Sequence, residues 1–595
     1  MSRAHGQIRR SQVITTWGPG APIDLPRDAG IVGGLDTWPK TTALEEIVDP
    51  RLSRKLGLLT DIPDPRLFAP PPDAAAPGEP ELGIGVWRFP QWALVQEERA
   101  GDARSRSRRL VRRRALVKER FEGRPVVPTR FVRACPRGHI SDVDWHRFVQ
   151  HKDDGCRRQL WLDEQGTGGD LGDLTVRCEC GASRPLRDAA EVEHNPLGTC
   201  FGDRPWLGRH ASEPCDQPSR LLIRTAANAY FGQVLSALSL PEAGSAVRTA
   251  VEQLWGTLQA VDSAATLAAF RKIPDVATGL AGYTDEEVLD AIKRIKHGST
   301  SERPVKEVEL DALLAAPEGY GDDVPVDVNF HARVLPERAW RRSDLAAGVE
   351  RVVQLHRLRE VLALVGFTRF EAQVPDINGE YDTDVTRAAL ALDPTWFPAV
   401  ENRGEGIFLA LDAVAVGAWL ARSAVSDRLN SLAEGHRLWA EHRKSPRQFP
   451  GGPYVLLHTL SHLLMQSLAL TCGYPSSSIR ERVYVDYASK RYGLLLYTAS
   501  PDAEGTLGGL VQQARHLEAH LRLALRAGAL CSNDPVCAQH SPEEGMEGRW
   551  LHGAACHGCA LVAETSCEMR NDLLDRALVV PTLAVPDAAF FPEVP

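Results

Sequence analysis

The sequence predicts a multidomain α+β protein, largely helical with small sheets and two zinc-stabilised modules. Three observations carry that expectation. The chain has 595 residues, room for several cores at about 150 residues per domain. Apolar residues recur at helical spacing over much of its middle and C-terminal parts. Its 12 cysteines gather in two clusters, with only Cys472 standing alone. The composition, 43% hydrophobic and 25% charged with net charge −9, is that of a folded protein. It excludes a mainly disordered, collagen-like or coiled-coil chain, and a polybasic protein that coats nucleic acid by net charge. Residues 1–12 are polar and basic with no apolar stretch behind them. The longest apolar stretch, around residues 408–420, is broken by Asp412. These features predict a soluble, cytoplasmic protein without a membrane partner.

Residues 1–125 read as a strand- and turn-rich region with a basic segment. A strand-like run over 9–16 precedes the turn Gly18-Pro19-Gly20, and a strand over 31–35 ends in a second turn. Residues 69–80, rich in Pro and Ala, form a linker or surface loop, and 86–95 an aromatic-rich strand. Arg104, Arg106, Arg108, Arg109, Arg112, Arg113 and Arg114 then make a basic run in an acidic chain. Such a run is either a solvated face or a contact to a DNA backbone. It lacks interleaved aromatics, so base stacking is not suggested.

Residues 126–224 hold the first cysteine cluster. Residues 225–440 read as mainly helical, on residues such as Val234, Leu235, Leu238, Leu254 and Leu258. An acidic stretch over 307–323 joins helical segments. A helix is expected over 345–367, and Gly404 and Gly406 precede an apolar run. Residues 441–595 form a C-terminal domain with a strong helix over 454–471, strands over 483–497, a helix over 507–529 and the second cluster.

Clustered cysteines with CxC and CxxC spacing favour zinc over disulfides where no secretory signal is seen. The first cluster reads Cys135-x3-His139, Cys156, Cys178-x-Cys180, Cys200 and Cys215. Cys135 and His139 can oppose Cys178 and Cys180 in one ribbon-like site. A rival set is Cys178, Cys180, Cys200 and Cys215, and a second ion could use Cys156, Cys200 and Cys215. One or two ions are expected. The second cluster holds Cys531-x5-Cys537, Cys556-x2-Cys559 and Cys567. A CxxC turn sets two thiolates on one side of a tight loop, half of a tetrahedral site. Cys531 and Cys537, or Cys537 and Cys567, supply the rest, and His540 and His557 are weaker donors. Five cysteines exceed what one ion needs, so one is expected to be a bystander. Both clusters look coordinatively closed, which points to structural metal.

His458 and His462 lie at i and i+4 on one helix face, a spacing that can chelate zinc. The protease version needs Glu after the first His, and here stands Thr459. The pair therefore reads as helix packing and hydrogen bonding. None of the ten lysines follows a glycine, so no Walker A motif exists. No GxSxG elbow, dinucleotide fingerprint or nucleophile–base constellation emerges either. These absences predict a protein that is not itself an enzyme. The alternative is a metal-dependent nuclease or hydrolase, which requires an open metal position.

Several stretches carry a family resemblance. Leu457 to Leu464, Tyr497 to Ser500, Gly505 to Leu510, Cys531 to Cys537 and Ala555 to Cys559 resemble the Mrf-type zinc-binding domain at the ends of certain DNA-repair helicases. Further stretches extend the likeness over most of the chain: Arg9 to Gln12, Gly18 to Ala21, Cys135 to Asp142 with Trp145, Arg403 to Phe408, Glu564 to Glu568 and Asn571 to Arg576. Together they resemble the DrmB family, partner subunits of the DrmA helicase in the bacterial anti-phage DISARM system. The resemblance implies structural zinc and a DrmA-type superfamily-two helicase as partner. It also implies help in engaging DNA, stimulation of the partner's ATPase and no catalysis of its own. It transfers no fixed ligand set to either cluster.

Overall fold

The computed structural model describes residues 7–594 apart from 27, 73–81, 97–104, 154, 166–169, 192–194, 242–246, 248–249, 252, 298–302, 320, 322–323, 326–327, 382–384, 501–508 and 545–547. The expected linker at 69–80 and Arg104 thus lie partly or wholly outside the described residues. Two compact units emerge. The first comprises Met1–Ser236, Val361–Pro375 and Tyr381–Glu401; the second comprises Ala237–Glu360, Asp376–Glu380 and Asn402–Pro595.

Unit one is mostly strand. A seven-stranded sheet runs in the order Ser183–Pro185, Leu174–Cys178, Leu160–Gln165, Ser105–Arg112, Trp92–Val95, Arg124–Pro128, Arg120–Phe121. Trp92, Leu94, Leu110, Leu160, Leu162 and Val176 form its core. A smaller sheet sets Phe131–Ala134 between Ile140–Ser141 and Arg220–Ile223. The run expected as a strand over 9–16 is the helix Arg10–Thr15, which buries Val13 and Ile14.

In unit one the guanidinium of Arg369, fully buried, donates to the carbonyls of Gly138 and Gly20 at 2.8 and 2.7 Å. It lies over the ring of Phe367. Burial pulls its pKa down to about 9, which measures how completely water is excluded. The turn at Gly18-Pro19-Gly20 is thereby tied to the Cys135–His139 knuckle. Gly138 adopts φ +89, and a Cβ there would meet the Ala388 Cβ at 2.5 Å. Gly138→Ala is expected to cost about 1–3 kcal/mol in backbone strain and crowding. Thermal melting of the variant checks this, and an unchanged melting curve would contradict the packing described.

Two long strands are Val349–Thr368 and Trp396–Leu411. In unit two, Arg491–Ser500 pairs antiparallel with residues 403–411, and Ile479–Asp486 pairs with Arg491–Ser500. Val349–Thr368 contradicts the helix expected over 345–367. It is buried along nearly its whole length. A strand covered on both faces loses the period-2 alternation that marks a half-exposed one, so its apolar run mimics a buried helix. Phe231–Leu238 was likewise expected as helix and is a strand. Gly404 and Gly406 lie inside a strand, after which Asp412 caps Ala413–Leu420 through a 2.6 Å bond from Ala415 N. The protein is therefore a multidomain assembly of helices and several sheets rather than a largely helical one.

Helices form where expected at Ala264–Phe270 and Asp285–His297, packed around Leu267, Val276, Val288 and Ile292. The acidic stretch after residue 304 opens as the helix Val305–Leu314. The hub of unit two is Gly452–Cys472, started by Pro453 in its first turn and stopped by Gly473 in the left-handed conformation. It packs against Ile479–Asp486, Arg491–Ser500 and Leu517–Ala529. Among the described residues it alone is long and apolar enough to cross a membrane, yet 72% of the apolar window is buried inside the protein. Its all-round apolarity is that of a core helix.

Candidate metal centres

All 12 cysteines are free of disulfides. In unit two, Cys531 follows the helix Leu517–Ala529, and a tight turn carries Cys556 and Cys559. The sulfurs of Cys531 and Cys556 lie 3.4 Å apart, Cys537 and Cys559 3.7 Å, and Cys556 and Cys559 3.8 Å. Zn–S bonds of about 2.3 Å in a tetrahedron set sulfurs about 3.8 Å apart, so the spacing is that of a zinc site. Backbone amides of Asn533, Gly558 and Cys556 donate to Cys531, Cys556 and Cys559 sulfurs at 3.3–3.4 Å. They spread the negative charge of the thiolates. Without a cation the set is in conflict. Contact with Cys559 pulls the Cys537 thiol down to about 5, while the same contact pushes Cys559 far up. A divalent ion removes the conflict by letting every sulfur ionise.

Cys567, expected as an alternative ligand here, is not among these four; its sulfur lies within reach of His458 instead. His540 Nε2 faces the Arg549 carbonyl, and His557 is exposed.

In unit one the six cysteines divide into two groups, one nested within the other along the chain, that match none of the sets expected from spacing. Cys135, His139, Cys200 and Cys215 bring their ligand atoms within 4.8 Å of one another. Cys135 and His139 come from the turn between Phe131–Ala134 and Ile140–Ser141. Cys200 and Cys215 face each other across a short ladder in which Cys200 N donates to Gln217 O at 2.8 Å. His139 Nδ1 lies 3.3 Å from the Cys135 sulfur, and its Nε2 is held by Glu213 at 2.7 Å. A carboxylate on the far nitrogen fixes the ring and its tautomer for metal binding. Contact with Cys135 draws Cys200 down to about 4.

The second group joins Cys156, Cys178 and Cys180 to His151, a residue the spacing argument passed over. His151 Nδ1 lies 3.3 Å from the Cys180 sulfur, and Cys156 and Cys178 sulfurs are 3.8 Å apart. The Ala182 backbone amide, then His151, bring the Cys180 thiol down to about 6. The only local signal for His151 was its place five residues before Cys156.

The arginine run forms the strand Ser105–Arg112 and the turn after it. Arg108 pairs with Glu164 at 2.7 Å and Arg109 with Glu122 at 2.9 Å. Arg112 lies over Trp92, and Arg113 binds Asp28 and the Pro90 carbonyl. Arg106, Arg112 and Arg114 are exposed.

Residues 460–560 match the MrfA Zn-binding domain, and residues 9–231 match a domain of unknown function, DUF8724. The crystal structure of the DUF1998 helicase MrfA bound to DNA aligns at 12% identity and a TM-score of 0.17, over 37% of this chain and 23% of that one. That likeness is too slight to define a shared architecture. The matched domain and the four converging thiols define a zinc protein whose C-terminal centre, at residues 531–559, holds structural zinc. The DISARM protein DrmB of Bacillus paralicheniformis (strain ATCC 9945a / NCIMB 11709 / CD-2) is 32% identical over 484 residues, 78% of this chain and 82% of that protein. The chain belongs to the DrmB family, a family of the DISARM defence system.

Proposed function

We propose that the chain is a non-motor, cytoplasmic accessory subunit that binds a DrmA-type superfamily-two helicase. In this reading it helps the helicase engage DNA and stimulates its ATPase. Membership of the DrmB family carries the reading. The closed character of the metal groups supports it. Each of the three groups already offers four protein ligand atoms, which leaves no coordination position for a substrate or an activated water. We assign zinc to the Cys135–His139–Cys200–Cys215 and His151–Cys156–Cys178–Cys180 groups as well. These ions would hold small lobes rigid where little apolar area is available.

The DNA contact is expected to be made with phosphates, hence sequence-independent and salt-sensitive. In unit one, Arg106, Arg112 and Arg114 are the described members of the run that are exposed, with Arg112 lying over Trp92. In unit two, a cleft of ≈ 850 Å³ is lined by Arg338, Arg342, Arg515, His516 and Arg522. Glu518, the carboxylate in that lining, accepts from the Arg342 and Ser343 backbone amides at 2.6 Å, and Arg338, Arg342, Arg515 and Arg522 outnumber its charge, so the cleft is basic. Charge reversal at Arg338 and Arg522 together is expected to weaken DNA binding by the assembled complex. It should also lower the slope of log affinity against log salt by about two. An unchanged affinity and slope would remove this cleft from the DNA path. The same experiment with Arg106 and Arg114 decides their part.

A further inference from the structure

On the hub helix Gly452–Cys472, His458 and His462 stand one turn apart with ring centroids 4.7 Å from each other. Both are fully buried. Their Nδ1 atoms face backbone carbonyls, His458 that of Leu573 at 3.3 Å and His462 that of Ala560 at 2.8 Å. A carbonyl can only accept, so each Nδ1 carries the hydrogen. The two Nε2 atoms then turn toward a common centre. Glu481 Oε1 lies there, 3.0 Å from His458 Nε2 and 3.4 Å from His462 Nε2. The Cys567 sulfur lies 3.1 Å from His458 Nε2. The four ligand atoms all fall within 4.8 Å of one another, and all four residues are buried.

Without a metal, protons satisfy this arrangement only by burying an imidazolium beside Glu481, with the thiol hydrogen of Cys567 on the other ring. With neutral imidazoles, two nitrogen lone pairs, a carboxylate and a sulfur converge with at most one thiol hydrogen among them. With both rings protonated, two cations share one carboxylate in a water-excluded core, which burial opposes. One divalent cation resolves both problems. Two neutral imidazoles, one carboxylate and one thiolate carry −2, and the ion makes the set neutral.

The neighbours are arranged for that state. The sulfur accepts backbone amides from Met569 at 3.3 Å and Asn571 at 3.1 Å, as a thiolate requires. Glu481 is oriented by the Ser461 hydroxyl on one oxygen and the Glu568 amide at 3.2 Å on the other.

We propose that His458, His462, Glu481 and Cys567 form a further divalent metal site, separate from the four-cysteine centre, whose mixed N2OS donor set suits zinc. With four protein ligands and no solvent exposure, the ion would be structural. It joins the hub helix, the strand Ile479–Asp486 and the C-terminal segment. His462 is held by the carbonyl of Ala560, the residue after Cys559, so the site also braces the neighbouring zinc turn.

Metal analysis of the purified full-length chain tests this against His462→Gln and Cys567→Ser. Each variant is expected to contain one zinc fewer per chain than the unaltered protein while keeping the four-cysteine ion. A variant with native circular dichroism and an unchanged zinc count would overturn the site. Should both variants fail to fold, anomalous diffraction from the unaltered protein at the zinc edge decides. A peak among the four side chains is the expected result. A peak at residues 531–559 with none here would overturn it.

Discussion

Replacing Cys556 or Cys559 by Ser is expected to remove about one zinc per chain and to unfold the segment around residues 531–561. Structural zinc binding contributes about 10 kcal/mol or more to small modules of this kind. Three of the four sulfurs would remain, but serine is a poor zinc ligand at neutral pH, and the backbone amides now aimed at sulfur would lose the charge they neutralise. Zinc analysis and thermal melting check the prediction together. Full zinc content with an unchanged melting curve would take the four-cysteine centre out of the account.

The second large effect concerns a charge pair inside unit two. Arg482 grips Glu309 through two bonds, Nε to Oε2 at 2.6 Å and Nη2 to Oε1 at 3.0 Å. The Tyr484 hydroxyl donates to Glu309 at 3.1 Å, and the Leu238 amide does so at 2.9 Å. Glu309 and Arg482 are both buried. Glu309→Ala leaves a guanidinium without its buried carboxylate and is expected to cost about 3–5 kcal/mol. Hydrogen exchange in the strand Ile479–Asp486 should speed up by at least roughly a hundredfold. Replacing both partners, Glu309→Leu with Arg482→Met, is expected to recover part of the loss, because the unpaired buried guanidinium is gone while the Tyr484 hydroxyl and Leu238 amide still lose their acceptor. Equal losses in the single and double variants would show that the pair is not the source of the cost.

The legible parts of this protein are those where local spacing is enough. The CxxC at Cys556 and Cys559 announces half a zinc site, and the other half, Cys531 and Cys537, lies close in sequence. The hub helix is legible because Pro453, Gly473 and a long apolar run agree. Elsewhere the decisive partner is remote. The knuckle Cys135–His139 is completed by Cys200 and Cys215, and the chain between them carries the second group with its own His151. Spacing cannot separate two nested sites when the ligands of one lie wholly between the two halves of the other.

The same limit hid the fate of the arginine run, whose partners Asp28, Glu122 and Glu164 come from other strands and turns. Likewise, nothing near Glu481 in sequence points to the two histidines it meets. Val349–Thr368 was misread for the opposite reason: its local pattern is strong, but double-sided burial erases the signature that tells strand from helix.

The central claim is that this chain works through a helicase. The most direct test is to purify it from its native host, identify what travels with it, and assay ATPase activity with and without DNA. The account predicts a co-purifying superfamily-two helicase and a DNA-dependent ATPase that is lost when that helicase is removed. A chain that purifies alone and itself cleaves or hydrolyses a substrate would contradict it.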